Sequence, residues 1–220
     1  MNPRINEFIS LLKEKYFFNI YYKNSSKLMK LLSKILFFVP DFLTRFTTTI
    51  GNNIYFPSED SLKDESKIST LAHEVRHIHD SQLDKLYNLK YLFPQIFSIL
   101  FFVLSFISFW FLIPALALLA PLPAYWRMKI ELNGYTTSLF VLNLKLKEKN
   151  VHIEERLDNL LDAVIKIDKN FTGSSYYFMW IPGVKKELAD RVYEILEERI
   201  EKEDSFYLFI KNCFNQSKNI

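Results

Sequence analysis

His73-Glu74-Val75-Arg76-His77 sets two histidines one helical turn apart with a glutamate beside the first, the HExxH pattern. An α-helix rises about 5.4 Å per turn, so imidazoles at i and i+4 leave one face and can converge on a single cation at about 2.0–2.1 Å. The chain has only 4 histidines in 220 residues. Composition alone would give this spacing in roughly one of two hundred such chains, so chance is a poor explanation. The setting is helical as well: Ile68, Leu71, Ala72, Val75 and Ile78 recur at helical intervals, and the Ser-, Asp- and Glu-rich stretch 58–69 offers helix-start signals. Zn2+ suits such a ligand pair. Glu74 would then stand beside the open coordination position as general base toward a water whose pKa the metal lowers to roughly 7.

Turning each residue by about 100° places Asp80 and Asp84 within roughly 40° of the histidine face, while His79 points away. Asp80 and Asp84 are therefore candidates to accept the second imidazole N–H of a ligand, which fixes its tautomer; ordinary surface acids would read the same way. A metzincin-type third ligand six residues beyond His77 would fall on Leu83, which excludes that class.

A third ligand has to come from elsewhere, and Glu131 in Arg127-Met128-Lys129-Ile130-Glu131-Leu132-Asn133-Gly134-Tyr135 is the first candidate, on a stretch able to form a helix. His152, Glu154 and Glu155 form a second group, in charged surroundings that suit an exposed helix start. HExxH, then an apolar segment, then a helix carrying a glutamate resembles the layout of the integral-membrane zinc endopeptidases of the CAAX prenyl protease and HtpX kind, which are gluzincins. The resemblance covers about residues 68–140. It implies His73, His77 and Glu131 as zinc ligands and Glu74 as the catalytic base. Those relatives usually carry an aspartate shortly after the third ligand, where this chain has Asn133, which becomes a candidate outer-sphere residue.

From Tyr91 to Trp126 there is no Asp, Glu, Lys, Arg or His. One membrane crossing takes about 20 apolar residues, so this run is too long for one span and short for two. Prolines at 94, 114, 121 and 123 interrupt it. The expected form is an apolar hairpin: a helix from about Gln95 to Leu112, a turn at Ile113-Pro114 and a return arm through Ala115 to Trp126. A single crossing would leave Glu131 about 30 Å from the histidines, and a hairpin returns it to their side. The environment of this run is either membrane lipid or an apolar protein surrounding, such as a virion or a tail lumen.

Residues 1–45 carry eight basic and three acidic side chains, although the whole chain has a net charge of only +3. The segment from Leu28 to Phe38 sets apolar residues against lysines, as either an interfacial or a core-packed amphipathic helix would. The basic residues are dispersed and no recognition motif accompanies them, so nucleic acid is not an expected partner. Glycine is scarce at 4, which excludes a Gly-rich phosphate loop, and the single Cys213 excludes both an internal disulfide and a cysteine-ligated zinc site. The first residues do not read as a secretory signal, so the N-terminus is expected to be retained.

Residues 46–57 read as a β-hairpin around Gly51-Asn52, the only sheet the pattern supports. Beyond Glu131 the chain reads as helical almost to its end. An aromatic loop at 171–183 interrupts it, where Tyr176 and Tyr177 are candidate hydrogen-bond donors to an oxyanion.

The expected fold is mainly α with one small β-hairpin: a zincin-like HExxH helix core with an inserted apolar helical hairpin. Its parts are basic amphipathic N-terminal helices at 1–45, the β-hairpin and HExxH helix at 46–90, the apolar hairpin at 91–126, and the third-ligand and C-terminal helices at 127–220. The expected function is a membrane-associated zinc endopeptidase, its catalytic side cytoplasmic, acting on a polypeptide substrate. The competing expectation is a non-catalytic membrane or virion protein whose metal site is vestigial or stabilising.

Overall fold

The computed structural model describes residues 2–35, 41–118, 123–172 and 181–218. The fold is mostly helical with one small three-stranded sheet. Helix α1 (Pro3–Lys15) starts where Asn2 accepts from the amides of Arg4 and Ile5 and Pro3 takes the first turn, where its missing N–H costs nothing. Its buried face, Ile5, Phe8, Ile9 and Leu12, faces the core. Strand β1 (Asn19–Tyr22) and helix α2 (Lys27–Ile35) follow, then β2 (Thr48–Ile50) and β3 (Asn53–Phe56).

β2 and β3 form the expected antiparallel hairpin, with Thr48 opposite Tyr55 and Ile50 opposite Asn53, and Gly51 at φ 57° supplies the left-handed turn residue. The hairpin is not the whole sheet. β1 lies parallel to β3, pairing Asn19 with Asn53 through Tyr22 with Phe56, so the strand order is β1-β3-β2. A four-residue strand whose partner is some thirty residues away leaves little periodicity to read. Among the described residues β2 stands at one edge of the sheet and packs against α3 (Lys67–Leu83), the HExxH helix.

After α4 (Tyr87–Leu92) the apolar stretch departs from the expected hairpin, whose first arm was to be one helix from about Gln95 to Leu112. α5 (Ile96–Leu104) stops eight residues early, a turn runs through 105–108, a 3-10 turn covers Phe109–Phe111, and α6 (Leu112–Ala117) packs back on α5. The reason is local hydrogen bonding. Ser105 Oγ donates to the Phe102 carbonyl, and the amides of residues 105–108 turn back onto carbonyls of residues 101–104. Pro114 marks no turn, since it occupies the first turn of α6, where no intrahelical N–H is needed. Trp126, expected in the return arm, belongs to the next helix; part of that arm lies outside the described residues. Among the described residues, no helix is long and apolar enough to cross a membrane.

Helix α7 (Tyr125–Glu148) is the central element. It packs most extensively on α3, and α8 (Ile153–Thr172), α9 (Val184–Leu196) and α11 (Ser205–Gln216) surround it, with the short α10 (Ile200–Glu203) leading into α11. α1 closes the core against α3 and α11. Apolar residues on the inner faces of these helices, Leu71, Val75, Leu132, Phe140, Leu188 and Phe214 among them, form one continuous cluster.

Candidate metal centre

α3 carries His73, Glu74 and His77, and α7 carries Glu131; all four are buried where the two helices meet. The ligand atoms of His73, His77 and Glu131 lie within 4.8 Å of one another. The two Nε2 atoms are 3.0 Å apart, and Glu131 Oε2 is 3.4 Å from His73 Nε2 and 3.7 Å from His77 Nε2. Ligands about 2.0–2.1 Å from a tetrahedral centre stand roughly 3.3–3.4 Å from one another, so these separations bracket the requirement.

The polar accounting points the same way. Glu131 Oε2 is buried without a hydrogen-bond partner, and two imidazole nitrogens at 3.0 Å must either share one proton or turn both lone pairs toward one cation. A divalent cation between them satisfies all three atoms. Without it, the group balances by charge. Burial pushes the Glu131 carboxyl up, yet the His77 and His73 imidazoles outweigh that and hold it well below the usual carboxylate range. Burial likewise disfavours charge on His77, but Glu131 and then Glu74 raise its pKa.

Glu131 is oriented from below. Tyr91 Oη donates to Glu131 Oε1 at 2.9 Å, which occupies that oxygen and leaves Oε2 for the histidines. Burial and the adjacent carboxylate push the Tyr91 phenol pKa up, so it stays a donor. Arg127 fixes Tyr91 in turn: its Nε donates to the Tyr91 carbonyl at 2.8 Å and its guanidinium lies 5.2 Å from the ring centroid.

His73 is set by the packing of α7. Gly134 faces its ring so closely that a Cβ would come within 2.7 Å of Cε1 and Nε2. Tyr135 meets the same ring edge-on at 4.9 Å, and Ser138 Oγ is 3.4 Å from Nδ1. Glu131, Gly134 and Ser138 lie at i, i+3 and i+7 on one face of α7. Glu74 Oε2 accepts a 2.7 Å hydrogen bond from Thr49 Oγ1 of the edge strand β2.

The outer-sphere residues read from the sequence do different work. Asp80 does not accept from an imidazole: Arg76 Nε lies 2.7 Å from one of its oxygens and Asn133 Nδ2 donates to the other at 3.1 Å. Asp80 and Asn133 thus tie α3 to α7, and Arg76 extends the link to Asp204 at the start of α11. His77 Nδ1 has no hydrogen-bond partner. Asp84 lies at the end of α3, where it pairs with Lys90 and accepts from the Leu86 amide, caught by the turn into α4 instead of by the histidines. His152, Glu154 and Glu155 are exposed at the start of α8 and are not third ligands. Tyr176 and Tyr177 lie outside the described residues.

Sequence reasoning missed Thr49, Tyr91, Gly134 and Ser138. Gly134 left a usable signal: a glycine inside a helix costs about 1 kcal/mol against alanine, and such a position often marks close packing. The other three are ordinary residue types whose role arises only from tertiary placement. No family model, curated protein or solved structure matches this chain.

Proposed function

We propose that the chain is a zinc-dependent endopeptidase of gluzincin type, acting on a polypeptide at or near a membrane. The observation that carries this reading is the meeting of Glu131, from beyond the apolar stretch, with His73 and His77, its Oε2 unpartnered between them. Three protein ligands among the described residues match the donor count of catalytic zinc sites, which keep a fourth position for water or substrate. Zinc, when bound, supplies Lewis acidity that polarises a peptide carbonyl and acidifies water.

Glu74 is the general base in this reading. Thr49 holds Oε2 and leaves Oε1 to take a proton from the attacking water and return it to the leaving amine. The hydroxyl that orients the base sits on β2, whose outer edge, with no strand partner among the described residues, would offer its backbone groups to an extended peptide. Substrate alignment and orientation of the base then depend on one strand. In this reading the α3–α7 pair with its edge strand serves as a zincin-like core, from which the apolar segment departs and to which it returns.

The test compares wild type with Glu74→Gln for bound metal and for cleavage of a broad peptide library. Equal metal content, with cleavage falling by about two orders of magnitude or more in the variant, is expected for loss of a general base. Wild type that holds metal yet cleaves nothing overturns the peptidase reading in favour of a structural site.

A further inference from the structure

The apolar segment bears a gradient that the peptidase reading does not use. At its tip Phe106 is 82% exposed, Ile107 81%, Phe109 75% and Trp110 76%. The segment's own charges are confined to its base, because no ionisable side chain other than Tyr91 and Tyr125 lies between Lys90 and Arg127. At that base cations lie beside exposed aromatic rings: Lys90 is 5.3 Å from the Trp126 ring centroid and Lys129 5.9 Å from Tyr125. Amphipathic aromatic rings beside cations are the composition of a bilayer interface. A protein-docking surface of this extent would carry a polar rim around its apolar centre, and residues 91–126 offer no charged side chain from which to build one.

The dimensions choose between spanning and dipping. α5 has nine residues and rises about 14 Å; α6 has six and rises about 9 Å; one leaflet contributes about 15 Å of hydrocarbon. The turn is prepared for lipid, since the amides of Ser105, Phe106, Ile107 and Ser108 all donate to carbonyls of the preceding helical turn.

We propose that residues 93–118 form a one-leaflet lipid anchor, entering the hydrocarbon tip first with Tyr125 and Trp126 at headgroup level. The anchor is rooted in the metal centre through Tyr91, which donates to Glu131. An anchored chain therefore holds its metal ligands close to the membrane surface. Only the further consequence, that the substrate is a juxtamembrane polypeptide, rests on the peptidase reading.

The experiment uses the full chain carrying Glu74→Gln, so cleavage plays no part in its outcome. Ile107→Cys is labelled with an environment-sensitive fluorophore; Cys213 is buried, with its thiol pushed up to about 11, and stays unlabelled. The protein is mixed with phosphatidylcholine–phosphatidylglycerol vesicles. Expected are co-flotation, quenching of the label by lipids brominated on the acyl chain, and at least about a tenfold loss of partitioning on Phe106→Asp with Trp110→Asp, metal content unchanged. Protein that stays out of the vesicle fraction, whether monomeric or self-associated by light scattering, overturns the anchor. So does quenching of the label by an impermeant quencher trapped inside the vesicles, which would mean a crossing.

Discussion

At Gly134 the side chain is absent because His73 occupies its place. Alanine there would relieve the helical cost of glycine and, by propensity alone, stabilise α7 by about 1 kcal/mol. Its Cβ would also stand 2.7 Å from the ring atoms of His73, a contact that forces a candidate ligand side chain to move. The two effects have opposite signatures. Gly134→Ala is expected to weaken metal binding at least about tenfold in a chelator competition while thermal stability of the metal-free protein changes little or rises. Unchanged metal affinity would show that His73 does not need the position it has. Residues of this kind divide sharply by legibility. His73, Glu74 and His77 announce themselves because helical spacing converts sequence directly into a shared face. Thr49 and Tyr91 do not, since each reaches its partner from a different element.

Among the elements, the sheet shows where local reading stops. The β2–β3 hairpin was legible because a turn residue and its flanking strands are neighbours; β1 was not, because its pairing is parallel and distant. The apolar stretch was legible as apolar and not in its breaks, which depend on the hydrogen bonds of Ser105 and its following amides. The end of β1 carries a further consequence. Lys23, buried just after it, donates from its amide to the Phe56 carbonyl and from Nζ to the Phe42 carbonyl at 2.8 Å, with the ammonium 4.0 Å from the Phe42 ring centroid. Burial pushes its pKa down to about 8 from 10.5, although the Glu74 carboxylate acts in the opposite direction. Below about pH 8 both folded and unfolded chains hold the proton and the cost of burying the charge is present in full. Between about 8 and 10.5 the unfolded chain binds more protons, so this residue makes stability rise with pH. Urea unfolding across that window should show wild type gaining stability relative to Lys23→Met as pH rises. A difference between the two that stays flat would contradict the buried ammonium.

On the scale of the whole molecule, the order of parts along the chain carried more information than any one part. A motif helix, a charge-free interval and a later glutamate specify that the interval must return to its starting side if the glutamate is to meet the histidines, and α3 and α7 do pack together. What that order could not specify was the length of the interval's helices, nine and six residues, or the cross-ties from Asp80, Asn133, Arg76 and Asp204 that join α3, α7 and α11. The most direct measurement is the metal content of purified wild type beside Glu131→Gln, after equilibration with limiting zinc and a competing chelator. One ion per chain in wild type, with affinity lowered about a hundredfold or more in the variant, is the expected result for loss of a first-sphere carboxylate. Equal affinity in the two proteins, or no ion in either, would contradict the meeting of these three side chains around one metal.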